Sequence, residues 1–300
     1  LASLLTSFDD DTRELTGFDD SEVKELLKTI GADDNSTSGG NTDPDDTPEP
    51  PVEPVTRTGD IWLMGAHRLM CGDSAIADDV ARLMHGQRAH CVFTDPPYGV
   101  AIGAKNRMLN SFQRAGRNLT DITDDALSPE ELKGRLQPAF SLLRTEIMAD
   151  DCTLFMSAPQ GGELGMMMIM MRDAGLPARH VLIWKKNQPT FSMGRLDYDY
   201  AHEPILLTWG KRHKRPMLGT HRTSVWEIDR PRASVEHPTM KPVALYVNAY
   251  LNNSDSGDNV ADIYCGSGTA LIAAQQTNRR AFGMEIEPRY CDVAVHRWCE

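Results

Sequence analysis

The sequence lacks the cysteine pattern of a metal site or of a disulfide framework. Its six cysteines include no Cys-x-x-Cys pair, and no histidine lies near them at zinc-binding spacing. It also lacks a signal peptide and any apolar run that approaches transmembrane length. We therefore expect reduced thiols, no metal, no membrane partner and a cytoplasmic protein.

A net positive charge, which is typical of proteins that bind nucleic acid, is absent as well. The formal net charge is −12, but residues 1–55 hold fifteen of the 43 acidic residues and only three of the 31 basic ones. The rest of the chain is therefore neutral, with 28 residues of each sign. Residues 33–55 have almost nothing to bury, which indicates a disordered linker. We expect an acidic leader and linker at residues 1–57 and a folded domain at 58–300.

What the sequence does contain is an apolar run, Cys91-Val92-Phe93, that ends in Thr94-Asp95-Pro96-Pro97-Tyr98-Gly99. An apolar run closed by two prolines is typical of a buried strand that stops abruptly. The tandem prolines remove two backbone donors, so nearby carbonyls can accept hydrogen bonds from another molecule. Acceptors beside the Asp95 carboxylate and the flat Tyr98 ring suit the exocyclic amino group of a planar base. A proline-rich turn with no such role is the alternative.

A second stretch lies far along the chain and reads Asp262-Ile263-Tyr264-Cys265-Gly266-Ser267-Gly268-Thr269. Two glycines after an apolar strand permit a tight turn and a close approach of the backbone to a ligand. The strand Ala281–Glu285 follows within twenty residues and ends in an acid. This spacing is typical of a nucleoside-binding fold, in which that carboxylate accepts from the ribose hydroxyls.

Together these motifs resemble the amino-directed DNA methyltransferases, which methylate N6 of adenine or N4 of cytosine. The catalytic motif precedes the cofactor loop, which is the circularly permuted order of their beta class. The resemblance implies S-adenosyl-L-methionine as cofactor and Asp95, Pro96, Pro97 and Tyr98 as catalytic residues. It implies cofactor contacts for Asp262, Tyr264, Gly266, Ser267, Gly268, Thr269, Glu285, Asp73, Thr239 and Lys241. For Asp73, the N-cap of the following helix is an equally good interpretation.

Two basic segments are candidates for contact with DNA. Residues 101–119 follow the catalytic strand and contain no acid, although a solvated loop is an even alternative. Residues 210–236 hold seven bases against three acids, at the place where the beta class has its target-recognition region. The predicted DNA-binding residues are Lys105, Arg107, Arg114, Arg117, Lys211, Arg212, Lys214, Arg215 and Arg222.

Strands that alternate with helices predict an α/β fold with a doubly wound, mostly parallel sheet. The resemblance makes this the Rossmann-like fold of S-adenosylmethionine-dependent methyltransferases, with the strands of Phe93 and Tyr264 side by side at the centre. Parallel strands present ligands at their carboxyl ends, so the two motif loops should meet there.

The function implied by the resemblance is methyl transfer to N6 of a flipped-out adenine in double-stranded DNA, with N4 of cytosine as the alternative. An RNA or protein N-methyltransferase on the same scaffold and a non-catalytic DNA-binding or partition protein are the rival functions. Further expectations are association with the nucleoid, a homodimer, and a ParB-like domain upstream, because the acidic leader resembles the join in ParB–methylase fusions.

Overall fold

The computed structural model describes residues 42–98, 127–190, 197–213, 223–230 and 240–300. Its nine described strands are β1 (Ile61–Met64), β2 (His67–Cys71), β3 (Ala89–Thr94), β4 (Met148–Ser157), β5 (His180–Thr190), β6 (Tyr200–Trp209), β7 (Val225–Glu227), β8 (Asn259–Asp262) and β9 (Arg280–Glu285). The described helices are α1 (Ala77–Met84), α2 (Pro129–Leu142), α3 (Gly162–Asp173), α4 (Val243–Asn253), α5 (Thr269–Gln276) and α6 (Pro288–Cys299), with a π-helical turn at Leu143–Ile147 after α2.

These strands form one sheet in the order β1-β2-β9-β8-β3-β4-β6-β5-β7. The five consecutive strands from β2 to β4 are all parallel, which confirms the predicted mostly parallel sheet. β3 pairs with β8 through Cys91 opposite Val260 and Val92 opposite Ala261. The strands that precede the two motif loops are therefore neighbours at the centre, as predicted. The chain leaves β3 toward β4 and leaves β8 toward β9, so the strand order reverses between them.

The other half of the sheet differs from a simple parallel arrangement. β5 and β6 form a long antiparallel pair. β6 also runs antiparallel to β4, while the short β7 adds to β5 in parallel. β7 lies inside the predicted target-recognition region, so Val225–Glu227 of that region form the outer edge of the sheet.

Helices cover both faces of the sheet, as a doubly wound fold requires. One buried cluster joins Val92 and Leu154 to side chains of α1, α2 and α3, including Leu83, Leu136 and Met170. The other joins Phe93 and Phe155 to side chains of α4, α5 and α6, such as Tyr246, Leu271 and Cys291. Adjacent residues of β3 point to opposite faces because side chains alternate along a strand. The methionine-rich run of α3 contributes Met167, Met170 and Met171 to the core.

A segment that precedes β1 is held against the folded domain, and we call residues 43–56 the strap. Asp45 accepts a hydrogen bond of 2.8 Å from the backbone N–H of Val243 at the start of α4. At the other end, Asp292 of α6 accepts from the backbone N–H groups of Val55 and Thr56, at 2.7 and 3.0 Å. This part of the predicted disordered linker therefore differs from the expectation, because Asp45 and the backbone of Val55 and Thr56 bind α4 and α6.

Two expectations from composition can be compared with the described residues. No helix among them is long and apolar enough to cross a membrane. None of their histidine, cysteine and acidic side chains form a group of three that could hold a metal ion. All six cysteines are free thiols, and only Cys299 is exposed.

Candidate active site

Asp95 and Tyr98 lie directly after β3, at the edge of the sheet where the parallel strands end; we call this the carboxyl edge. The Tyr98 hydroxyl donates a hydrogen bond of 2.5 Å to Asp95 Oδ1. Burial, followed by the charge of Asp95, raises the pKa of Tyr98 well above its usual value, so the phenol is a neutral donor. Pro96 is buried and Pro97 half-buried between them, and neither carries a backbone donor.

The second oxygen of Asp95 binds a lysine from a distant part of the sequence. Lys241 precedes α4, and its Nζ lies 2.6 Å from Asp95 Oδ2. Burial would lower the pKa of Lys241, but ion pairs with Asp95 and Glu203 outweigh burial and raise it. The ammonium is therefore charged, and it holds the Asp95 carboxylate through the oxygen that Tyr98 does not bind.

Lys241 also reaches the cofactor loop through its backbone. Thr269, the first residue of α5, directs its hydroxyl to the Lys241 carbonyl at 3.5 Å. Lys241 therefore contacts both motif loops, with its backbone carbonyl near Thr269 and its ammonium bound to Asp95. The sequence-based prediction placed Lys241 among the cofactor contacts, and that role stays a prediction; in the structure its ammonium binds Asp95.

The glycine loop after β8 turns sharply into α5. Gly266 and Gly268 both have positive φ angles, of 51° and 85°. A Cβ on Gly268 would lie 2.8 Å from Ala294 of α6, so only glycine allows this close packing. A Cβ on Gly266 would meet nothing within 4 Å, so the loop faces open space at that residue.

Glu285, the last residue of β9, holds this loop in place. Its Oε2 accepts from the Gly266 N–H at 2.8 Å, and its Oε1 accepts from the Glu287 N–H at 2.9 Å. Burial raises the pKa of Glu285, although the two backbone N–H groups oppose that effect. Each carboxylate oxygen retains a further lone pair, so the side chain can still accept from a ligand.

Arg297 braces the cofactor loop from the side of α6. Its Nη1 donates to Ser267 O at 3.1 Å and to Thr269 Oγ1 at 3.2 Å, and its Nη2 donates to the Pro44 carbonyl of the strap at 2.6 Å. Burial lowers the pKa of Arg297, and Asp45 of the strap opposes this. The strap and the cofactor loop are therefore joined through one buried guanidinium.

This geometry can be compared with known proteins. The family model described as DNA methylase, which covers N6 and N4 methyltransferases, matches residues 89–296. The chain belongs to the N6/N4 DNA methylase family. A second model, described as the ParB-methyltransferase HTH domain, matches residues 3–58 of this methylase. A ParB-like domain was expected upstream of this chain; the match instead falls within it, in the segment that composition indicated was leader and linker.

Curated relatives are described as type II methyltransferases, and solved structures share the fold. The methylase is 22% identical over 226 residues to the type II methyltransferase M2.DpnII of Streptococcus pneumoniae, covering 69% of this chain and 81% of that protein. It is 25% identical to M.Cfr9I of Citrobacter freundii, over 82% and 92% of the two chains. Its fold is similar to that of TTHA0409 from Thermus thermophilus, described as a putative DNA modification methylase and solved with S-adenosyl-L-methionine, at TM-score 0.54, 20% identity and coverage of 78% and 93%. It is also similar to the cytosine-N4-specific PvuII methyltransferase, at TM-score 0.56, 14% identity and coverage of 79% and 90%.

The family uses S-adenosylmethionine, and the residues of this methylase fit that cofactor. The fit rests on the open space beside Gly266 and on the spare acceptor capacity of the buried Glu285 carboxylate. A carboxylate at the end of the strand after a glycine loop suits a ribose diol. Tyr264 is half-buried beside the same loop and Ser267 is buried within it.

Asp73 lies at the same edge, two residues beyond β2, which pairs with β9 through Cys71 and Glu285. Its carboxylate binds Arg135 at 2.5 Å and accepts from the Ala75 N–H at 2.8 Å. α1 has Ile76 as its N-cap, so the interpretation of Asp73 as the helix cap is wrong. The predicted contact with the cofactor's adenine remains a prediction that this placement favours.

Of the nine predicted DNA-binding residues, only Lys211 and Arg212 lie among the residues that the structure describes. Lys211 binds Asp150 at 2.9 Å, and the Arg212 N–H donates to the Asp150 carbonyl at 2.8 Å. Asp150 lies near the start of β4, and about 23 Å of strand separates it from Ser157 at the carboxyl edge. The structure therefore does not bring Lys211 and Arg212 close to Asp95. The remaining predicted site residues, Lys105, Arg107, Arg114, Arg117, Lys214, Arg215, Arg222 and Thr239, lie outside the described residues.

Proposed function

We propose that this methylase transfers a methyl group to N6 of adenine at a specific site in double-stranded DNA. The observation that carries the proposal is the carboxylate of Asp95 at the first position of the Pro-Pro-Tyr motif, where Lys241 holds it at 2.6 Å. In the resembling family the aspartate form of this motif accompanies adenine more often, and a serine form accompanies N4 of cytosine. A carboxylate is the stronger acceptor for an amino group.

A base inside a duplex cannot present its amino nitrogen to the active site, so the target must flip out of the stack. The Asp95 carboxylate and the Pro96 carbonyl would accept hydrogen bonds from the amino group and localise its lone pair. Stacking on the Tyr98 ring would return about 1–3 kcal/mol of the cost of unstacking. Since Tyr98 and Lys241 each occupy one lone pair of Asp95, each oxygen retains a lone pair for the base.

The cofactor, when bound, supplies an electrophilic methyl group on sulfur. Glu285 would accept from its ribose hydroxyls, and the backbone of Gly266 to Gly268 would approach it closely. The central hydrogen bond from Thr94 to Asp262, 2.8 Å long, holds the two strand ends in fixed relation. A fixed relation between donor and acceptor is what an in-line transfer requires.

The remaining partners follow from the same reasoning. Double-stranded DNA would reach the carboxyl edge, and the DNA contacts predicted for residues 101–119 and 210–236 stay predictions. The helix-turn-helix domain matched at residues 3–58 offers a second contact with DNA. Such an enzyme would work in the cytoplasm at the nucleoid. The homodimer stays a prediction that sedimentation analysis of the purified protein would test.

Identification of the labelled nucleoside tests the proposal. The protein is incubated with tritium-methyl cofactor and unmethylated plasmid DNA, and the digested DNA is separated into nucleosides. We expect label in N6-methyldeoxyadenosine, and less on single-stranded than on duplex DNA. Label only in N4-methyldeoxycytidine would assign the activity of the PvuII neighbour instead. An unlabelled product, with cofactor binding intact, would favour the non-catalytic DNA-binding alternative.

A further inference from the structure

Asp95 is the first member of a chain of four alternating charges. Its Oδ2 binds Lys241 at 2.6 Å, and Lys241 Nζ lies 3.3 Å from Glu203 Oε2. The other oxygen of Glu203 binds Lys186 Nζ at 2.5 Å. Glu203 and Lys186 come from the paired strands β6 and β5, so the chain extends from the catalytic loop toward the outer half of the sheet.

The two inner members and the lysine at the far end of this chain are shielded from water. The exposed fractions of the side chains are 8% for Lys241, 18% for Glu203 and 4% for Lys186. Removing charges from water is costly, and apolar side chains of similar size often stabilise a fold as well or better. Stability alone therefore gives little reason for a Lys–Glu–Lys series beside Asp95.

The pKa values of Glu203 and Lys186 are both lowered, but for different reasons. Burial would raise the pKa of Glu203, but the charges of Lys241 and Lys186 outweigh burial and lower it. Burial lowers the pKa of Lys186, and Glu203 partly opposes that. The lowered pKa of Glu203 thus depends on both lysines, and the two negative charges of the chain balance its two positive charges.

The consequence for Asp95 follows from Lys241, which has two carboxylate partners. With Glu203 present, the ammonium is shared and held at a defined point between the two acids. Without the charge of Glu203, the Lys241 ammonium would lose one of its two carboxylate partners and interact more strongly with Asp95, and the positive charge of Lys186 nearby would no longer be balanced by Glu203. Both changes would weaken Asp95 as an acceptor for an amino group and alter its orientation.

We propose that Glu203 and Lys186 are positioning residues for methyl transfer, which act through Lys241 to hold the Asp95 carboxylate toward the amino group of the target base. The proposal rests on the methyl-transfer reaction of this site and is independent of whether the base is adenine or cytosine. Neither residue was among those predicted from the sequence. Neither touches Asp95 directly, so their effect should appear in the transfer step rather than in binding.

The test compares single-turnover methyl incorporation into DNA for Glu203→Gln, Lys186→Met and the double variant. We expect each single substitution to lower the transfer rate at least tenfold, with the cofactor Kd and the DNA Kd within about twofold of wild type. The double variant restores charge balance, so its rate should exceed that of Glu203→Gln at least threefold. If the two substitutions only damaged the structure, their losses of transfer rate would instead multiply, or the double variant would show no recovery of the rate.

Matched controls use the exposed pair on the neighbouring strands β5 and β7, Lys185 with Glu227, whose charged atoms lie 2.9 Å apart. Lys185→Met and Glu227→Gln should leave the transfer rate within twofold. Lys186→Arg and Glu203→Asp keep the charges, and they provide the test if a neutral variant does not fold. We expect both to retain more activity than any folded neutral variant.

Three results would overturn the proposal: an unchanged rate in folded Glu203→Gln, a double variant no faster than that single variant, or charge-conserving variants as slow as the neutral ones. Because total methyl label in DNA is counted, a cytosine product would overturn the adenine assignment and leave this test intact.

Discussion

The Thr94 hydroxyl donates a hydrogen bond of 2.8 Å to Asp262, which joins the end of the catalytic strand to the end of the cofactor strand. Asp262 also accepts from the Tyr246 hydroxyl and from the Tyr264 N–H, each at 3.1 Å. Burial raises the pKa of Asp262 to about 7, against these three donors. One buried carboxyl thus ties β3, β8 and α4 together directly beneath the proposed site of transfer.

The raised pKa of Asp262 predicts how the free energy of unfolding depends on pH. Because its folded pKa lies above that of an unfolded aspartate, it contributes stability that is present below about pH 4 and is lost as pH rises to about 7. Between about pH 4 and pH 7, we expect the free energy of unfolding of Asp262→Asn to increase relative to that of the wild-type protein. The increase should reach up to about 4 kcal/mol, at about 1.4 kcal/mol per pKa unit. Urea titrations at pH 4, 5.5, 7 and 8 measure it. Parallel curves for the two proteins would contradict this account of Asp262.

A second prediction concerns the cofactor. Glu285→Ala should weaken S-adenosylmethionine binding at least tenfold, because it removes the ribose acceptor and the hydrogen bond that holds Gly266. The lost buried hydrogen bonds should also lower the unfolding free energy by about 1–3 kcal/mol. Calorimetric titration gives the Kd. Glu287→Gln is the control, because that side chain turns to Arg289 at 3.3 Å and should leave the affinity unchanged. Equal affinities for the two variants would rule out Glu285 as the ribose ligand.

The strap gives a third prediction, on truncation. Removing residues 1–41 leaves the contacts of Asp45 and Thr56 in place, whereas removing 1–57 also takes away the acceptors for Val243 and Arg297. The shorter truncation should bind the cofactor as wild type does. The longer one should bind it several-fold more weakly and melt at lower temperature, because Arg297 braces Ser267. Asp45→Ala alone should cost about 1 kcal/mol of unfolding free energy, as for the loss of a helix N-terminal acceptor. Indistinguishable truncations would show that the strap braces nothing.

The contrast between what the sequence predicted and what it missed has a physical basis. β3, β8 and β9 each hold a short apolar stretch followed by an acid, and tandem prolines or a pair of glycines come soon after β3 and β8. Local pattern was therefore sufficient to place these strands and the loops that follow. β7 is only three residues long and borrows its stability from β5, which no local pattern reveals. A polar composition is compatible with a free segment and with a bound one, so the composition of the strap did not predict its contacts with the folded domain.

The ionic neighbours of Asp95 were missed for a related reason. Lys241 lies 146 residues from Asp95 in sequence, and it reaches it only because α4 packs beside β3. Glu203 and Lys186 sit on strands with no motif that marks them. Their partners are set by strand register, which places Trp184 opposite Glu203, and register becomes visible only in the folded sheet. Arg297 looks like an ordinary cation in the last turn of α6, yet it is buried.

The measurement that tests the central claim most directly is the rate of methyl transfer by Asp95→Asn in a single turnover with saturating cofactor. Asparagine keeps the size of the side chain but removes the charge that Lys241 and the target amino group both require. Glu203 still neutralises Lys241, so the protein should fold and bind the cofactor with a Kd within about threefold of wild type. The account predicts a transfer rate at least a thousandfold lower. A folded Asp95→Asn protein that methylates DNA within tenfold of the wild-type rate would contradict it.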